Sequence, residues 1–275
     1  MTSIQRRSIP TLGPLHPPNV EKHAVKPSIA RHVQIRVSDP LDHSVQAILH
    51  EPHSYNAMQA SYDLSTFLFK LTGLRGIYTS LADKLAVLLS IPCIRLDYRQ
   101  PGTTQCCIFD ILGAFTYLSR HFSSSRFVLV GWSFGGAPCF TVASREPQRV
   151  RGVATIASQT AGTVGITKLA PRPVLLLHGT GDRVLSYLCA KSLYHEYGTE
   201  GQREMELYEG DDHGLTMNAP EAEQRIFKFV ARCLELESLL DREVSDKARQ
   251  DLVESREERI REMEMGRDLE GGEKI

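Results

Sequence analysis

The chain has 275 residues, 41% of them hydrophobic, which is enough for one large core. Acidic and basic residues nearly cancel at a formal charge of -1, so no net basic field exists to hold nucleic acid or an anionic membrane surface. No uninterrupted apolar run approaches the length of a bilayer span, so a soluble protein without nucleic-acid or membrane partners is expected.

Residues 1–30 carry prolines at 10, 14, 17, 18 and 27 and almost no periodic apolar pattern. Such a segment cannot bury enough surface to offset its ordering entropy, and it is read as a disordered arm. Arg6 and Arg7, with no acidic residue before Glu21, resemble a mitochondrial transit peptide, but the prolines oppose the amphipathic helix such a peptide needs. The cysteines (Cys93, Cys106, Cys107, Cys139, Cys189 and Cys233) lack CxxC spacing, and no secretory signal precedes them. Reduced thiols in a cytoplasmic protein are expected. His50 and His53 form an HxxH with no third ligand at recognisable spacing and read as a polar strand end entering a loop, so no metal is expected. Neither is a cofactor.

From Arg31 onward short β-rich runs alternate with longer helical ones, the pattern of a mostly parallel sheet covered by helices. His32–Ser38 and Val45–His50 read as an opening hairpin around the Asp39-Pro40 turn. Further strands are predicted at Leu64–Leu71, Pro92–Asp97, Arg126–Gly131, Gly152–Ala157, Val174–His178 and Glu204–Tyr208. Helices are predicted near 78–89, 104–121, 134–145, 185–197 and 220–236. That makes eight strands in one domain over 31–236. The segment 237–275 is dense in charge, with Glu243/Lys247 and Glu257/Arg261 at spacing that supports a solvated helix. It reads as a fraying helical tail, with contact to a protein partner as its alternative role.

The strongest motif is Gly131-Trp132-Ser133-Phe134-Gly135, preceded by the apolar run Phe127-Val128-Leu129-Val130. A G-x-S-x-G between a strand and a helix makes a sharp turn that lifts the serine clear of the sheet. A serine hydroxyl is a poor nucleophile unless a base takes its proton. Val174–Leu177 is a buried strand running into His178-Gly179-Thr180-Gly181-Asp182, which delivers a carboxylate to the sheet edge where active groups collect. Leu207–Glu209 leads into Gly210-Asp211-Asp212-His213, so His213 completes the chain order Ser, Asp, His. His178 competes for the role of base, and Asp211 and Asp212 compete with Asp182 for that of the acid. His178 sits at the strand end, where bracing the turn is its expected task. Immediate neighbours of a histidine are poorly placed to reach its Nδ1.

With these motifs in place, residues 31–236 resemble the α/β-hydrolase superfamily in its small, capless, serine-aminopeptidase or dienelactone-hydrolase-like branch. Leu96-Asp97-Tyr98-Arg99 resembles the family's turn after its fourth strand, and Leu81-Ala82-Asp83-Lys84-Leu85 its first helix. The resemblance implies an eight-stranded, mostly parallel sheet with one antiparallel strand. It also implies an oxyanion hole made by the Leu74 and Phe134 amides. Dienelactone hydrolases proper use a cysteine where this chain has Ser133, and Thr72-Gly73-Leu74 stands where the family has His-Gly. About sixteen residues separate Ala157 from Val174, too few for a helical lid. The expected function is a serine hydrolase acting on a small ester, thioester or amide through an acyl-enzyme, with Ser133, Asp182 and His213 as its catalytic residues. An acyltransferase using the same residues and a catalytically idle binding domain are the alternatives.

Overall fold

In the computed structural model the described residues are 28–38, 43–52, 64–70, 75–100 and 102–250; for 64–70, 75 and 76 only the backbone is described. Eight strands alternate with helices: β1 (Ile29–Val37), β2 (His43–Glu51), β3 (Leu64–Lys70), α1 (Arg75–Leu88), β4 (Cys93–Leu96), α2 (Thr104–Phe122), β5 (Ser124–Trp132), α3 (Gly136–Arg145), β6 (Val150–Ile156), β7 (Val174–Gly179), α4 (Leu188–Glu196), β8 (Arg203–Tyr208), α5 (Ala219–Cys233) and α6 (Arg242–Ala248). They form one sheet in the order β1-β2-β4-β3-β5-β6-β7-β8. β2 runs antiparallel to both its neighbours, while β3 to β8 pair in parallel.

The central strands are apolar on both faces because helices cover both. Along β5 the side chains alternate: Phe127 and Leu129 enter the layer formed with α2 and α3, while Val128, Val130 and Trp132 enter the layer formed with α1 and α5. β7 divides in the same way, Val174 and Leu176 against Leu175 and Leu177. Between β6 and β7 only a short 3-10 turn, Val164–Lys168, intervenes, so no lid is inserted there. Gly165 of that turn lies so close to the α3 backbone that a Cβ on it would stand 2.3 Å from the Phe140 carbonyl oxygen.

The layer around α1 also holds buried polar groups. Lys84 and Glu223 form an ion pair with side chains 2% and 1% exposed, and the Ser80 hydroxyl donates to the same carboxylate at 2.8 Å. The Lys84 ammonium further donates to the carbonyls of Ala248 (3.1 Å) and Gln250, closing the end of α6. Ala248 is buried, and Leu240 and Val244 pack against this core, so the charged segment turns an apolar side inward as far as residue 250. The expected Glu243–Lys247 pair forms at 2.6 Å; Glu257 and Arg261 lie outside the described residues.

His50 departs from the sequence expectation. It is fully buried, and Arg95 Nε donates to its Nε2 at 3.0 Å. That leaves the proton on Nδ1, which donates to Asp83 Oδ1 at 2.8 Å, an oxygen that also accepts from the Ser28 hydroxyl. Both ring nitrogens are thus engaged within the fold. His53, the Asp39-Pro40 turn and most of the N-terminal arm lie outside the described residues. All six cysteines are free, four of them buried.

Candidate active site

β5 ends in the turn that presents Ser133. The backbone at Ser133 has φ 53°, in the left-handed region that costs an L-residue about 1–2 kcal/mol. The surrounding fold over-determines that conformation: a Cβ on Gly131 would stand 2.5 Å from the Gly135 carbonyl oxygen, so the chain doubles back closely around the serine. Ser133–Gly135 form a 3-10 turn that runs directly into α3. The Phe134 amide therefore belongs to the first turn of a helical run.

Asp182 lies just beyond β7 with its side chain closed off from solvent. Each of its oxygens is occupied twice. Oδ1 accepts from the amides of Val184 (2.7 Å) and Leu185 (2.9 Å), and Oδ2 accepts from His213 Nδ1 (2.6 Å) and His178 Nε2 (3.1 Å). Burial raises the Asp182 carboxyl pKa, but the His213 hydrogen bond, the two amides and the charge interaction with His213 together outweigh it. The net shift is below the usual carboxylate value. An ionised acid that fixes Nδ1–H leaves Nε2 of His213 as the free base position.

His178 braces the turn, as its place at the strand end suggests. Its Nε2 faces both Asp182 and the Leu185 carbonyl (3.1 Å each), and burial lowers its pKa, only partly offset by those partners. It is a neutral imidazole directed at the acid.

The loop carrying His213 is held by the two aspartates next to it. Asp211 is fully buried; it accepts from the amides of Asp212 (2.9 Å), Met217 (3.1 Å) and Asn218 (2.9 Å) and from the Asn218 side chain (2.8 Å). Asp212 Oδ1 accepts from the Gly214 and Thr216 amides at 3.0 Å each and from the Thr216 hydroxyl at 2.9 Å. These carboxylates are spent on N–H and O–H groups of their own loop, whereas Asp182 is the carboxylate that meets His213 Nδ1. Their role was missed at the sequence level, although aspartates ahead of Gly214 and Thr216 are the residue type that forms such turns.

Trp132 links the serine to this loop. Its Nε1–H donates to the His213 carbonyl at 2.8 Å, and the two rings lie 4.8 Å apart at 51°. Ser133 is the next residue and is itself nearly buried. The direct hydrogen bonds thus join His213 to Asp182 and to Trp132; among the described residues none runs from the Ser133 hydroxyl to the His213 ring. In unliganded hydrolases that bond is commonly long and tightens on substrate. Leu74, the other expected oxyanion donor, lies outside the described residues, as do Thr72 and Gly73. No group of three or more metal-ligating side chains occurs among the described residues.

A family model described as "alpha/beta hydrolase fold" matches residues 80–193. The sequence has no match among curated proteins. Among solved structures the chain is similar to Est1E from Butyrivibrio proteoclasticus (13% identity, TM-score 0.59, covering 74% of this chain and 99% of that one). It is also similar to the esterase domain of a Rhodothermus marinus protein (17% identity, TM-score 0.59, covering 74% and 98%). A third likeness is to XC6422 from Xanthomonas campestris, described as an a/b serine hydrolase without lid (12% identity, TM-score 0.53, covering 73% and 94%). Strand order, the strained serine turn after β5 and these likenesses agree: the chain has the α/β-hydrolase fold, with no cap between β6 and β7.

Proposed function

We propose that the protein is a serine hydrolase that cleaves a small carboxylic ester through an acyl-enzyme. The reading is carried by one observation: the 2.6 Å bond from His213 Nδ1 to a buried, ionised Asp182, in loops that meet beside the strained Ser133 turn. His213 Nε2 takes the Ser133 proton as Oγ attacks the ester carbonyl, and Asp182 stabilises the imidazolium that results. The developing oxyanion is held by the Phe134 amide, with the Leu74 amide as second donor. Collapse of that intermediate breaks the bond to the alcohol oxygen, which receives the proton from His213. Water then repeats the sequence on the acyl-serine. The fold's similarity to two esterases and a lidless serine hydrolase agrees with this chemistry, and the missing lid favours small substrates over long-chain lipid.

The test is Ser133→Ala. Wild-type protein is expected to hydrolyse p-nitrophenyl acetate and to be labelled once by a fluorophosphonate at Ser133, and the variant to do neither while remaining folded. A wild-type protein that is folded and unlabelled would reject the proposal.

A further inference from the structure

Six large hydrophobic side chains are exposed among the described residues, and three of them lie within six residues after Asp182 or His213: Val184 (59% exposed), Leu188 (54%) and Met217 (56%). A single exposed apolar residue means little. These three differ in how firmly they are seated. The Val184 amide and the His213 ring occupy the two oxygens of the same carboxylate, at 2.7 and 2.6 Å, so the Val184 main chain is rooted beside the base. Leu188 opens α4 one turn further on, its amide directed at the Ser186 hydroxyl at 3.3 Å. Met217 follows His213 by four residues, its amide held at 3.1 Å by the fully buried Asp211. Backbone pinned by buried carboxylates at Val184 and Met217 lowers the ordering cost of binding there to that of the side chains themselves.

The chemistry says which part of an ester meets them. In acylation the Ser133 Oγ–carbon bond forms and the carbon–alcohol oxygen bond breaks, and the proton taken from Ser133 passes from His213 Nε2 to the departing oxygen. That oxygen must lie within hydrogen-bonding reach of His213, so the group attached to it extends over the His213 side of the site. The acyl carbonyl points the other way, toward the Phe134 amide. We infer that Val184, Leu188 and Met217 form an apolar shelf for the alcohol part of the substrate, so that the enzyme selects esters of apolar alcohols. This rests on the serine-hydrolase reading above.

The experiment compares two ester series on the full chain: acetates of methanol through hexanol, and methyl esters of acetic through hexanoic acid. In the wild type, kcat/KM is expected to rise about threefold per methylene along the first few members of the alcohol series. In the triple variant Val184→Ser/Leu188→Ser/Met217→Ser the alcohol series flattens while the acyl series keeps its slope. The deacylation phase after the burst has one rate for every acetate, because the alcohol has already left. Leu239→Ser, an exposed apolar residue of the C-terminal segment, leaves both slopes as in the wild type, and thermal midpoints of the triple and single variants check folding. A flat wild-type alcohol series, an alcohol slope that survives the triple substitution, or loss of the acyl slope instead would overturn the shelf while leaving the hydrolase reading standing. Absence of any turnover together with absence of fluorophosphonate labelling would reject both.

Discussion

His178 and His213 share one carboxylate oxygen: Asp182 Oδ2 lies 3.1 Å from Nε2 of the first and 2.6 Å from Nδ1 of the second. The two imidazoles nevertheless present different atoms. In the proposed mechanism His213 keeps Nε2 for proton transfer, whereas the Nε2 of His178 is turned inward to Asp182 and Leu185. His213→Asn is therefore expected to remove essentially all ester hydrolysis. His178→Asn should cost about tenfold in kcat with little change in KM, because it loosens the acid without removing the base. Steady-state kinetics on p-nitrophenyl acetate separate the two, and equal losses would mean that the roles are wrongly divided.

Asp182→Asn keeps the shape of the site but removes the charge opposite the imidazolium. It also offers an amide donor, which disfavours Nδ1–H on His213. A loss of about three to four orders of magnitude in kcat/KM is expected, with the urea midpoint little altered if the Val184 and Leu185 amides still find the remaining carbonyl. A loss under tenfold in the same assay would remove Asp182 from the mechanism.

Lys84→Met leaves Glu223 in an apolar layer without its ammonium, and the expected destabilisation is about 3–5 kcal/mol by urea unfolding. The double variant Lys84→Met/Glu223→Leu should recover most of that. Both variants release the Ala248 and Gln250 carbonyls, so trypsin should cut after Lys247 or Arg249 sooner than in the wild type. Unchanged proteolysis would show that α6 is held by its apolar contacts alone.

The Asp83 cluster sets an acid limit on stability. Burial raises the Asp83 carboxyl pKa, but the adjacent His50 ring, the Ser28 hydroxyl and the charge of Arg95 bring it below the usual carboxylate value. A carboxyl whose folded value lies below its unfolded value stabilises the fold above about pH 4. That contribution disappears as the pH falls through the folded value. Asp83→Asn should thus lower the urea midpoint at pH 7, with the gap to wild type closing as pH is lowered toward 3. A gap independent of pH would show that Asp83 acts only by shape.

The middle of the sheet was legible because its strands are apolar on both faces: Phe127 to Trp132 and Val174 to Leu177 have no polar member to mislead the reading. The pairing of Asp182 with His213 was legible through motif and chain order, which is information about topology that a line of residues does carry. The placement of β3 between β4 and β5 was available only by resemblance, since spacing says nothing about which strand crosses over which. The buried polar groups were not legible at all. Glu223 sits among Glu221, Gln224 and Arg225 and looks like one more solvated charge; its partners Ser80 and Lys84 come from a helix far earlier in the chain, Ser80 by 143 positions. His50 was read as polar for the same reason, because Asp83 and Arg95 reach it only in three dimensions.

Trp132 is the only tryptophan in the sequence, and its indole N–H is bound to the backbone of His213. Indole fluorescence therefore comes from one fluorophore, in contact with His213. Selective excitation of that indole makes the unlabelled protein its own optical gauge of the His213 loop, usable in stopped flow with substrates that carry no chromophore.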